Sequence, residues 1–84
     1  MNDTLNGVYQ YLIDNIPIKI SYINNSILIG KYKIIINVTK NTPKLIIFNL
    51  YEEMMVIHAI KKAEFDLNDP EYLPSLTQFL KARL

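Results

Sequence analysis

The chain has no cysteine and no tryptophan, two glycines and a single histidine among its 84 residues. Without thiols there is no disulfide framework, no thiol nucleophile and no cysteine-ligated zinc site. Gly7 and Gly30 stand alone, so neither a phosphate-cradling loop nor a dinucleotide fingerprint can be built, since each needs closely spaced glycines. His58 lies among Met55, Val56, Ile57, Ala59 and Ile60, with no second imidazole to share a metal. It reads as a structural histidine, and no cofactor or metal is expected. No apolar run approaches the roughly 18–20 residues that would span a bilayer. The opening Met1-Asn2-Asp3-Thr4 lacks the basic start of a secretory leader. A cytoplasmic chain with no membrane partner is the expectation, and the three Asn-x-Ser/Thr triplets at Asn2, Asn24 and Asn37 then read as chance.

Carboxylates are missing from one long stretch. Between Asp14 and Glu52 there is none, while Lys19, Lys31, Lys33, Lys40 and Lys44 make that window positive. The segments on either side are acidic, so a formal net charge of +1 hides an uneven field that can steer an acidic partner. What the chain has in plenty is apolar residues: 50% are hydrophobic and 20% charged. Eighty-four residues make one domain, 1–84, and a chain this small buries only about 60–65% of its unfolded surface, so a dense apolar composition is what lets it fold unaided. The abundance of Ile, Asn, Lys and Tyr suits an AT-rich coding sequence, such as that of a phage or mobile element.

Periodicity places the elements. Asp3 or Thr4 can cap a first helix, and Leu5, Val8, Tyr9, Leu12, Ile13 and Ile16 fall on one helical stripe that Pro17 ends. From Ile18 the period becomes two, with Ile18, Ile20 and Tyr22 opposed to Lys19 and Ser21, and Asn24-Asn25 supplies a tight turn. The run from Ile27 to Thr39 alternates as one long strand with a bulge at Gly30, or as two strands divided there. Lys40-Asn41-Thr42-Pro43 reads as a loop, and Lys44 to Leu50 as a strand apolar on both faces. Residues 51–62 suit either a helix or a turn at Glu52-Glu53 followed by a strand from Met54 to Ile60; the strand completes the meander. Asp69 caps a last helix with Pro70 at its first position, a short 3₁₀ turn precedes the helix proper because of Pro74, and Leu73, Leu76, Phe79, Leu80 and Leu84 form its stripe. The fold class is therefore α+β: an N-terminal helix, an antiparallel meander of three or four strands and a C-terminal helix. Ile18, Ile20, Ile34, Ile36, Phe48 and Leu50 are expected to face the helices.

No constellation carries catalysis. Glu52/Glu53 and Glu64/Asp66 are carboxylate pairs close in sequence, but acid–base work needs two groups facing one pocket, and neighbours in sequence point apart. Asp66, Asn68, Asp69 and Glu71 have spacing faintly like a calcium loop, which Leu67, Pro70 and the lack of a turn glycine break; capping explains them. Ser21, Ser26 and Ser75 have no nucleophile signature. A non-catalytic protein-interaction module is expected instead: an inhibitor, an immunity factor or an accessory subunit. Two helices on one face of a small sheet leave the other face uncovered. On a long-strand register that face carries Ile23, Ile27, Ile29, Ile35, Leu45 and Ile47, with Lys31 and Lys33 at its rim and Lys19 across the hairpin. Ile27, Ile29, Lys31, Lys33, Ile35 and Lys19 are thus the candidate partner-binding residues, and a homodimer or an acidic protein the expected partner. The alternative is a nucleic-acid-binding module using the basic face, which requires aromatics interleaved with the lysines, whereas Tyr22 and Tyr32 fall on the opposite parity.

Overall fold

A computed structural model describes residues 3–84, with side chains from Thr4 onward. In chain order come α1 (Asp3–Asn15), β1 (Ile20–Ile23), β2 (Ser26–Ile29), β3 (Tyr32–Thr39), β4 (Thr42–Glu53), β5 (Val56–Asp66) and α2 (Tyr72–Arg83). The strands form one antiparallel sheet in sequence order, β1-β2-β3-β4-β5. The fold is α+β as expected, with five strands rather than three or four. Capping of α1 by Asp3 falls outside the described side chains.

Four two-residue turns make the meander. Asn24-Asn25, Lys40-Asn41 and Met54-Met55 each hold both residues at positive φ, between 51° and 64°, and Gly30 sits at φ 58°. Paired positive φ at both central residues is the backbone of the tight hairpin turn whose twist matches that of the strands. Gly30 therefore divides the Ile27–Thr39 run instead of bulging it. The expected Lys40–Pro43 loop shrinks to two residues, and Pro43 enters β4 opposite Val38. Its carbonyl accepts from the Leu67 amide at 3.2 Å, so the missing proline N–H falls where β5 is already ending. Residues 51–62 are strand, with the turn two residues later than expected, at Met54-Met55.

Each two-residue turn also inverts parity. The residues flanking it face each other, so an odd position on one strand lies on the same sheet face as an even position on the next. Ile20 pairs with Ile29, Ile29 with Tyr32, Ile34 with Ile47 and Ile36 with Leu45. The helix-side face is thus even on β1, odd on β2, even on β3 and odd on β4. On β5 it begins even, and an irregularity opposite Ile47/Phe48 turns it odd, so that Ala63 and Phe65 end on the helix side.

The helices lie together on that face. Leu5, Val8, Leu12 and Ile16 of α1 and Leu76 and Leu80 of α2 share one core with Ile20, Ile27, Ile29, Tyr32, Ile34, Leu45 and Ile47. Tyr9 meets Tyr22 edge-on at 5.5 Å, and Phe65 meets Phe79 at 6.2 Å, tying α1 to β1 and α2 to β5. Ile13, expected on the buried stripe of α1, is exposed. Pro74 follows a short turn of the 3₁₀ type, as expected, in which the Tyr72 amide donates to the Asp69 carbonyl at 3.1 Å. It is the third residue of α2, where the first amides have no intrahelical acceptor, and the i→i−4 ladder opens at the next residue with Ser75 donating to the Glu71 carbonyl at 3.1 Å. Asp69 does not cap α2; Glu71 holds that position, while the Asp69 carboxylate accepts from the Glu71 amide at 2.9 Å and shapes the preceding turn.

Candidate functional site

Both helices cover one face, so the opposite face is open. Parity assigns it Ile23, Leu28, Ile35, Ile46, Phe48 and Leu50, together with Lys33, Lys44 and Lys61. Ile46, at its centre, is screened by neighbouring side chains; Leu28, Ile35, Phe48 and Leu50 are half-buried and Ile23 is exposed.

This assignment corrects the expected one. Ile27, Ile29, Leu45 and Ile47 are fully buried beneath the helices and cannot contact a partner. Phe48 and Leu50, expected to face the helices, lie on the open side, and Ile18 is exposed before β1. The cause is the parity inversion at Gly30-Lys31 and Lys40-Asn41, which a single long strand would not produce. Of the six candidate contact residues, the sheet keeps Lys33 and Ile35 together on the open face. Lys31 is exposed in the β2–β3 turn, and Lys19 is exposed ahead of β1.

The second feature is an arm. β3 accompanies β4 only as far as Tyr32 opposite Asn49, after which the Leu50 amide donates to the Lys31 carbonyl at 2.7 Å. Beyond that bond β4 and β5 continue as a two-stranded hairpin, with Tyr51 opposite His58 and Glu53 opposite Val56. Every residue from Tyr51 to Lys62 is exposed. Met54 and Met55 at the tip are 91% and 93% exposed, Ile57 72% and Val56 54%, which is far more apolar exposure than an isolated surface residue contributes. The arm is apolar on both sides: Leu50, Ile57 and Ala59 continue the open face, and Tyr51, Val56 and Ile60 lie on the helix side. A shallow depression of about 370 Å³ joins arm and sheet on the open side, lined by Ile23, Leu28, Lys33, Leu50 and Ile57. At the arm's root, the buried side-chain oxygen of Asn49 has no hydrogen-bond partner.

Sequence reasoning had the arm's residues in view but not their projection. That depends on β4 and β5 being 12 and 11 residues long while β3 has 8. The available signal was the adjacent Met54-Met55 pair itself, because methionine recurs at adaptable contact surfaces.

Among the described residues no three His, Asp or Glu groups gather closely enough to hold a metal. Glu64 forms an exposed ion pair with Lys61 at 3.5 Å, and Asp66 accepts from the Asn68 amide at 2.9 Å, so each is occupied with local structure. No described helix is long and apolar enough to cross a membrane. Compared with protein-family models, curated proteins and solved structures, the chain matches none.

Proposed function

We propose that this protein is a non-catalytic interaction module of the inhibitor, immunity-factor or accessory-subunit kind, whose contact surface is the open sheet face together with the β4–β5 arm. The observation that carries the reading is the arm itself. Met54, Met55, Val56 and Ile57 stand exposed on a projecting hairpin, where burial would stabilise a complex by about 25 cal/mol per Å² of apolar surface, offset by the cost of association. Lys33 and Lys44 beside Ile46 and Phe48 place cationic groups around an apolar centre, the layout of an interface that favours an acidic partner. The test is site-specific photo-crosslinking in the host cell from positions 55 and 57, with Gln10 on the exposed side of α1 as control. Adducts from the arm and none from Gln10 support the reading; the reverse pattern rejects it.

One observation favours a second reading. Phe48 stands directly across from Lys33 on one side and Lys61 on the other, so the open face does carry one aromatic between two lysines, as single-stranded nucleic acid would require. Glu52, Glu64 and Asp66 share that face and weaken its field. Salt titration with single-stranded oligonucleotides tests it: binding that weakens steeply with salt supports nucleic-acid recognition, and no binding at low salt removes it.

A further inference from the structure

β5 is an edge strand, and its first half has none of the usual protection. Val56-Ile57-His58-Ala59-Ile60 contains no charge, proline or glycine, and all five residues are exposed. Natural edges are blunted by lysines, bulges or short length. The opposite edge, β1, has only four residues. On β5 the safeguards begin just past this window, with Lys61, Lys62 and the irregularity in register. The window itself is open.

Its backbone is also aimed outward in the right places. Glu53 and Val56 flank a two-residue turn and exchange hydrogen bonds, so Val56, His58 and Ile60 bond back to β4. Ile57 and Ala59 alternate with them and direct their N–H and C=O groups away from the sheet. Leu50, opposite Ala59, confirms the alternation: its amide points the other way, to the Lys31 carbonyl at 2.7 Å.

We propose that the Val56–Ile60 edge pairs antiparallel with the same segment of a second copy of this chain, centred on His58, joining two five-stranded sheets into one. This rests on the interaction reading above and specifies its partner. The occupant follows from self-complementarity. Centring on His58 sets Ile57 opposite Ala59 and Val56 opposite Ile60, apolar against apolar, with the outward N–H and C=O of Ile57 and Ala59 in each copy bonding the other. The same register brings Lys61 and Lys62 of each copy to the tip of the other's arm, which carries Glu52 and Glu53. A register shifted toward Lys61 sets lysine against the window instead, and one shifted toward Met55 runs out of strand. Two-fold antiparallel pairing is the closed, isologous arrangement that makes a dimer and stops there.

The experiment is light scattering at micromolar to millimolar concentration on the intact chain and on Ala59→Pro, Ile57→Lys and Ile35→Asp. Circular dichroism checks that each variant is folded. Proline at Ala59 removes an outward N–H that the chain's own ladder does not use, a substitution an edge strand tolerates. The expected result is a dimer for the native chain and for Ile35→Asp, with folded monomers for Ala59→Pro and Ile57→Lys. The native dimer should also show amide exchange at Ile57 and Ala59 slowed about tenfold or more as concentration rises. A monomeric native chain overturns the proposal, as do unprotected Ile57 and Ala59 amides in a dimer, should either variant fail to fold. A dimer that survives Ala59→Pro and Ile57→Lys but is lost in Ile35→Asp also overturns it, while leaving the open-face interaction reading intact.

Discussion

Tyr51 and His58 face each other across the arm and stack, their ring centroids 5.0 Å apart and their planes within 18° of parallel. They join the two strands where neither β3 nor a helix supports them. A cross-strand pair of this kind is worth about 0.2–1 kcal/mol at an exposed position. Replacing Tyr51 with Ala should therefore leave global stability nearly unchanged while speeding amide exchange across residues 50–60. Hydrogen exchange followed by residue checks this: the arm loosens and the core amides of β3 do not.

The Met54-Met55 turn is a local conflict in the fold. Both residues hold positive φ, 53° and 63°, a region that costs an ordinary L residue about 1–2 kcal/mol. Asn-Gly is the pair this turn geometry favours. Met54→Asn with Met55→Gly should raise stability by about 1–2 kcal/mol, or roughly 4–8 °C in Tm per kcal/mol for a domain of this size. Thermal denaturation reads the gain. Crosslinking yield to the partner should fall in the same variant, the trade-off expected where strained residues are kept for contact.

The two glycines should respond to alanine with opposite signs. A Cβ added at Gly7 meets nothing within 4 Å, so Gly7→Ala should stabilise α1 by about 0.4–1 kcal/mol. At Gly30 the backbone has φ 58° and a Cβ would lie 3.1 Å from Cδ2 of Leu84. Gly30→Ala should cost about 1–2 kcal/mol. Urea denaturation of the pair separates the two cases, and a shift of the same sign in both would be inconsistent with the β2–β3 turn described.

Parity predicts a sharper contrast between Ile29 and Ile35. Ile29 is fully buried under the helices, and an aspartate there costs several kcal/mol, against a total of about 4–12 kcal/mol for a chain of this length. Ile29→Asp should be unfolded. Ile35 is half-buried on the open face, so Ile35→Asp should stay folded and lose contact with any partner seated there. Leu45→Ala, in the same core as Ile29, should cost about 2–5 kcal/mol. Far-ultraviolet circular dichroism with urea titration distinguishes all three.

That contrast also marks how far the sequence could be read. The stripes Leu5-Val8-Leu12-Ile16 and Leu76-Leu80 were legible because helical spacing and the flanking prolines agree. The Asn24-Asn25 turn was legible because asparagine tolerates positive φ. Sheet faces were not. They depend on the number of residues in each turn, and one choice at Gly30, bulge or turn, reverses every assignment on one side of it. The last strand was expected, but Met54-Met55 hid where its hairpin turns, because neither residue signals a turn and both favour a helix; the extra strand comes from the division at Gly30. The contact residues inherited that error: Lys33 and Ile35 share the open face, while Ile27 and Ile29 moved to the core.

The most direct test of the whole account is an amide-exchange footprint of the chain isolated with its native partner, compared with the chain at high dilution. Protection should be concentrated in Leu50–Ile60 and on the open-face strand around Lys33 and Ile35, with the exposed sides of α1 and α2 unchanged. Protection of α1 or α2 alone, with the arm exchanging as fast bound as free, would contradict it.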